Sequence, residues 1–283
     1  MDLESNMNTK QRASAALRRT GHGLTATSNW LGDRVDDLAH WLANLIRLLP
    51  ARIGRIGLTL GFVMVGLAMF LPIGVRVWRR GGRSNFAAWL RARARRGGLW
   101  TIQFVLQVLD LFGVPELFAF LWRAVTRATP LTGDEIVAAT SVLGPLALRF
   151  QDIRVAQGGV LRLIFRRNGS RAFATFHTVN LPLAGYHARS NIAILLHELV
   201  HVYQYERAGS RYFAEALLAQ HEAGYDYGGA AALQEARAHG RHLRDFNREQ
   251  QAQIVQDYYL QRCQLGDTSA FEPFIAELRA GKV

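Results

Sequence analysis

The hydrophobic pattern changes character part-way along the chain. Residues Ile56–Val75, "IGLTLGFVMVGLAMFLPIGV", form a run of 20 residues without a charge, the length at which a helix spans the hydrocarbon of a bilayer. A second apolar stretch, Thr101–Val125, carries Asp110, Pro115 and Glu116 in its middle. Such a stretch suits amphipathic helices packed on the first run, or lying at a membrane interface, better than a second span. Upstream, Arg34–Leu49 places apolar residues at helical spacing and predicts an amphipathic helix.

Beyond residue 130 the runs shorten and turn signals appear. "TPLTGDE" (129–135) supplies Pro, Gly and a helix start at Thr132 or Asp134, so a helix is expected over Thr132–Leu146. "DIRVAQGGVLRLIFRR" (152–167) and "RAFATFHTVNLP" (171–182) read as strands, with Gly158, Gly159 and Asn168-Gly169 as turns. The remainder is largely helical. The expected organisation is a basic helical region over 1–130, in which 56–75 is a transmembrane or buried helix, and an α+β domain with a small sheet over 131–283.

Charge sharpens this division. Residues 1–130 hold 18 Lys/Arg against 7 Asp/Glu, and residues 131–283 hold 16 against 15. All six tryptophans, Trp30, Trp41, Trp78, Trp89, Trp100 and Trp122, lie in the first part, and eight arginines fall between Arg76 and Arg96. Basic residues interleaved with tryptophan and flanked by apolar runs favour an anionic membrane over nucleic acid as partner. Gly57 and Gly61 have the spacing of a close helix contact. The polar first 29 residues lack the apolar core of a secretory signal, so the expected location is membrane-associated, or exported without a cleaved signal. The lone cysteine, Cys263, excludes a disulfide framework and a cysteine-rich metal site, and reads as a buried thiol.

The chemistry lies in "HELVHV". On a helix His197 and His201 share a face and can reach one ion, with Glu198 at its flank to take a proton from water. The surrounding Ile192, Ile194, Leu195, Leu196, Leu199, Val200 and Val202 describe a buried helix, in which two histidines and a glutamate need partners. Zinc accounts for all three. A catalytic zinc needs a third protein ligand. The metzincin extension is absent, because Gln204 and Arg207 stand where it has glycine and histidine. Glu222, Glu235, Glu249, His221, His239 and His242 are the candidates, and spacing does not choose among them.

"LLHELVHVYQYERAG", "GYDY", "FNREQQAQIVQDYY" and the upstream "FATFHTVNLP" resemble the zinc metallopeptidase-like domains of bacterial polymorphic toxins and secretion-system-associated effectors, over roughly the C-terminal half. The resemblance implies a zincin-like fold, peptide-bond hydrolysis of a protein or peptide substrate, and delivery by a secretion machine or a carrier, with an immunity protein as a further partner. It also implies a glutamate third ligand in an E-x-x-A context, which here matches Glu249 with Ala252. Where that class often has an acidic residue one turn later this chain has Gln253, with Asp257 the alternative support for a histidine. The residues point the same way: glycines break the chain just after Glu222, whereas "NREQQAQIVQDYYLQRC" has neither Gly nor Pro and Asn247 to cap it.

In such a fold a strand borders the cleft. Phe173–Leu181 is the segment expected to offer its edge to substrate, with His177 as either a substrate contact or a surface residue. Tyr225, Tyr227, Tyr258, Tyr259, His239 and His242 are unranked candidates for stabilising an oxyanion. The alternative to an active peptidase is a non-catalytic zinc-binding or interaction domain on a membrane anchor.

Overall fold

The computed structural model describes residues 45–210, 212 and 224–282, with six further positions between 32 and 43. Of the helix expected over 34–49, the described positions 35, 38, 39, 42, 43 and 45–49 are helical; the other positions of that stretch, with His221 and Glu222, lie outside the described residues.

The first part is a helical hairpin. Helix α1 (Leu45–Ala68) runs almost without interruption into α2 (Phe70–Leu111). At the junction the Met69 N–H still donates to the Val65 carbonyl at 3.0 Å and the Ile73 N–H to that of Met69 at 3.1 Å. The real break is inside α2 at Gly82, whose φ of 66° and ψ of −166° are accessible only to glycine. There the chain folds back on itself. A Cβ on Gly66 would meet the Trp100 ring at 3.2 Å, one on Gly74 would meet Trp89 at 3.2 Å, and the Phe70 and Trp89 rings are 5.0 Å apart. A Cβ on Gly57 or Gly61, both expected to mediate close packing, would meet nothing within 4 Å among the described residues. The returning arm carries its tryptophans at 89 and 100, so Gly66 and Gly74 receive them instead.

Helix α3 (Val114–Val125) leaves α2 at 72°, turning at Gly113 with φ 67°. It ties the hairpin to the sheet: Trp122 Nε1 donates to Asn180 Oδ1 at 2.7 Å, and an Arg123 guanidinium N–H donates to the Asp152 carbonyl at 2.9 Å.

The sheet has four short strands, β1 (Arg127–Pro130), β2 (Arg154–Gln157), β3 (Phe173–Thr175) and β4 (Thr178–Asn180), in the order β1-β2-β4-β3. Only β2 and β4 are parallel. Because β1 pairs with β2, the sheet takes in residues ahead of the break expected near 130. The segment expected to continue as a strand after Gly159 is instead helix α5 (Leu161–Arg167). Gly158 and Gly159 adopt φ of 70° and 57° and end the strand, and Leu161 and Phe165, four apart, bury one helical face.

The core is helical. Helix α4 (Gly133–Leu143) starts at Thr132, whose hydroxyl accepts from the Glu135 N–H while the Glu135 carboxylate accepts from the Thr132 N–H at 2.7 Å. Helix α6 (Ile192–Ala208) crosses the centre, with Leu195, Leu196, Leu199, Val200 and Val202 fully buried, as its all-round apolar pattern predicts. Helices α7 (Gly229–Ala238), α8 (Arg248–Cys263) and α9 (Glu272–Arg279) complete the chain. Helix α8 packs on α6 through Ala252, Ile254 and Val255, all fully buried, and opens with Asn247 accepting from the Gln250 N–H at 2.8 Å. Cys263 is exposed rather than buried, because it is the last residue of α8, past the packed turns.

Candidate metal centre

Helix α6 brings His197 and His201 to one face, and α8 sets Glu249 against them from its first turn. The Glu249 Oε2 atom lies 3.5 Å from His197 Nε2 and 3.2 Å from His201 Nε2. One ligand atom from each of the three lies within 4.8 Å of the others, and all three side chains are buried. Tetrahedral zinc with bonds of about 2.0–2.1 Å separates its ligand atoms by about 3.3 Å, so this donor set and spacing fit a divalent metal.

The orientation of His201 is fixed from behind. Gln204 donates from Nε2 to the Arg248 carbonyl at 3.0 Å and to Gln251 Oε1 at 2.9 Å. Its Oε1 is therefore the acceptor facing His201 Nδ1 at 2.9 Å, which makes Nδ1 the protonated nitrogen and leaves the Nε2 lone pair for the centre. Gln251 in turn donates to the Phe246 carbonyl at 3.0 Å. Gln253 and Asp257, the expected supports, do not hold a histidine. Gln253 donates to Asp257 at 2.8 Å and Asp257 accepts from the Tyr227 hydroxyl at 2.7 Å, while His197 Nδ1 has no partner among the described residues.

Electrostatics set the two imidazoles apart. Burial pushes the His201 imidazole down, yet the Glu249 carboxylate against it outweighs burial and carries its pKa up to about 9. His197 goes the other way: burial, with His201 adding to it, outweighs Glu249 and holds the imidazole below its ordinary value. Beside it, burial raises the Glu198 carboxyl to about 7, with the nearby Glu249 adding to the effect and His201 opposing it. The Ala174 amide of β3, an edge strand of the sheet, donates to Glu198, so that edge meets the acid that flanks the centre.

The remaining candidates separate cleanly. Glu235 is exposed on α7, His239 caps its own helix at the Glu235 carbonyl, and His242 bonds Glu277 at 2.8 Å. Tyr258 donates to Glu272, Tyr259 bonds Cys263, and His177 is buried and paired with Glu206 at 3.1 Å. Tyr225 alone of that group stands at the centre, its ring 5.8 Å from His197 and partly open to solvent. Burial, with Glu249 and Glu198 nearby, pushes its phenol up to about 12, so it stays protonated near neutrality. Tyr212, not singled out from the sequence, covers His201 at 5.6 Å.

No protein-family model, curated protein or solved structure matches the chain. The site rests on its own geometry.

Proposed function

We propose that the protein is a zinc-dependent peptidase carried on a membrane-associated helical hairpin, of the effector type that its motifs resemble. The observation that carries this reading is the convergence of two imidazoles and one carboxylate, buried and at zinc-like separations, with a second carboxylate beside them. His197, His201 and Glu249 would hold the ion. When bound, it supplies Lewis acidity, acidifying a water and polarising a carbonyl. The protein's own groups supply the rest. Glu198, with its carboxyl near 7, takes the proton of the attacking water and returns it to the leaving amine. The Ala174 amide orients Glu198, and Tyr225 donates a hydrogen bond to the developing oxyanion.

Membrane association is supported by the hairpin's surface. Among the described residues one helix, Leu45–Ala68, is long and apolar enough to cross a bilayer, and only 6% of its apolar window is buried. Leu58, Phe62, Met64 and Leu67 each expose more than three-fifths of their surface and lie on opposite sides of the helix, so α1 is apolar and uncovered around much of its circumference, as soluble proteins avoid.

The test is metal analysis of the full chain, with and without chelator, beside hydrolysis of an unstructured protein by wild type and Glu198→Gln. One zinc per chain is expected in both, with turnover of Glu198→Gln down by about 10²–10⁴-fold. A metal-free chain, or wild-type turnover in the variant, overturns the reading.

A further inference from the structure

Helix α3 reverses the usual arrangement of a surface helix. Its exposed positions, Val114, Leu117, Phe118, Leu121, Ala124 and Val125, are all apolar and fall on one helical face. Its polar groups point the other way. Glu116 is buried and ion-paired with Arg52, the Trp122 indole donates to Asn180, and Arg123 donates to the Asp152 carbonyl. A soluble domain turns such an apolar stripe toward its core; here it faces outward, on the side of α3 away from the sheet.

The surface continues onto α5 and becomes basic there. A Cβ on Gly159 would meet the Val125 carbonyl oxygen at 2.6 Å, so the exposed Val160 stands beside the end of α3. Helix α5 packs its buried Leu161 and Phe165 with Trp122 of α3, and exposes Leu163 together with Arg162, Arg166 and Arg167. Neither helix exposes an acid to balance these arginines.

The hairpin sets the level and tilt of this surface. A Cβ on Gly209 would stand 2.7 Å from Asp110 and 3.2 Å from Arg55, so the end of the returning arm lies level with the residue just ahead of the uncharged run. There Asp110 accepts from the Ser210 N–H at 2.8 Å and from the Ser210 hydroxyl, clasping the end of α6 to the hairpin. Helix α3 starts four residues after Asp110 and turns 72° away from α2. With the hairpin across a bilayer, α3 begins at the level of the headgroups and runs close to the membrane plane. We propose that α3 and α5 form an interfacial surface on which the α+β domain lies against an anionic bilayer, the apolar stripe of α3 in the boundary between headgroups and acyl chains and the arginines of α5 on lipid phosphates. The inference rests on the membrane-anchored reading of the hairpin and adds to it a second contact, made by the domain itself.

The test places a polarity-sensitive thiol fluorophore on the full chain, reconstituted in phosphatidylcholine vesicles containing phosphatidylglycerol. One sample carries it at Leu121→Cys in a Cys263→Ser background; the reference carries it on the native Cys263, exposed at the end of α8. A blue shift and quenching by spin-labelled lipid are expected at position 121 and neither at 263. Arg162→Glu/Arg166→Glu/Arg167→Glu, all at exposed positions, should move the emission at 121 back toward its aqueous value while the chain still sediments with the vesicles. Helical circular dichroism checks that this variant is folded, and the wild-type arginine background tests the surface without it. A vesicle-bound chain with aqueous emission at 121 overturns this proposal and leaves the hairpin reading standing, whereas a chain that does not bind vesicles overturns both. Equal quenching at 121 and 263 overturns the assignment to α3. A shift that fades as the chain is diluted in excess lipid gives the stripe to a second copy of the chain and overturns it as well.

Discussion

His201 Nδ1 lies 2.9 Å from Gln204 Oε1, and the same glutamine amide bridges to α8 through Arg248 and Gln251. One side chain thus aims a candidate ligand and joins the helix that carries two of them to the helix that carries the third. Gln204→Leu should weaken zinc about 10–100-fold, the usual cost of losing such support, as read by competition with a chromogenic chelator. A variant with wild-type affinity would mean that His201 is oriented by packing alone.

The third ligand can be tested by contrast. Glu249→Ala removes one of three protein ligands and should lower zinc affinity by well over 100-fold, whereas Glu235→Ala, exposed on α7, should leave it within about twofold. Equal losses would move the metal away from α8.

Much of this was legible in the sequence. "HELVHV" within an apolar frame carried both histidines and Glu198, and the uninterrupted helix behind Asn247 favoured Glu249 over Glu222. The support for His201 was harder to see. Gln204, which excludes the metzincin pattern, stands three positions after His201 and therefore on the same face, a spacing that points to this support. The α5 helix is not separable from a strand in the sequence, because Leu161, Leu163, Ile164 and Phe165 satisfy a buried strand as well as a helix, and only the glycine pair's backbone geometry decides. Tyr225's position depends on tertiary packing, which periodicity does not encode.

Gly209 has φ 69° and ψ −163°, a glycine-only region, and a Cβ there would meet an Asp110 carboxylate oxygen at 2.7 Å. Gly209→Ala should destabilise the protein by about 1–3 kcal/mol in chemical denaturation. Gly57→Ala, with open space around it, should cost nothing measurable and serves as the comparison.

Acid should weaken the contact between α4 and the loop before α6. Arg189 donates to both Glu135 oxygens, at 2.6 and 2.8 Å. Burial pushes the Glu135 carboxyl up, but Arg189 and Thr132 outweigh it and hold the pKa below the ordinary value. A carboxylate lowered in the folded state stabilises above its unfolded pKa, about 4.3, and loses that contribution as pH falls through the folded value. Wild type should therefore exceed Glu135→Gln in stability by roughly 1–2 kcal/mol near neutrality, with the gap closing in acid. A gap independent of pH would assign the effect to packing.

The full chain should sediment with membranes and resist high salt, because burial of α1 is not screened as headgroup attraction is. Leu58→Arg/Phe62→Arg places two charges on its exposed apolar face and should release it. Salt-extractable wild-type protein would indicate attachment through the arginines alone.

The clasp between Asp110 and Ser210 also sets a length. From His201 to the end of α6 is seven residues, about 10 Å of helix, and the clasp fixes that end to the hairpin. With the hairpin seated in a bilayer, the helix becomes a ruler. For the membrane-anchored peptidase proposed above, the bonds within reach would be those a short, fixed distance from the lipid surface, in stalks and juxtamembrane segments of neighbouring proteins.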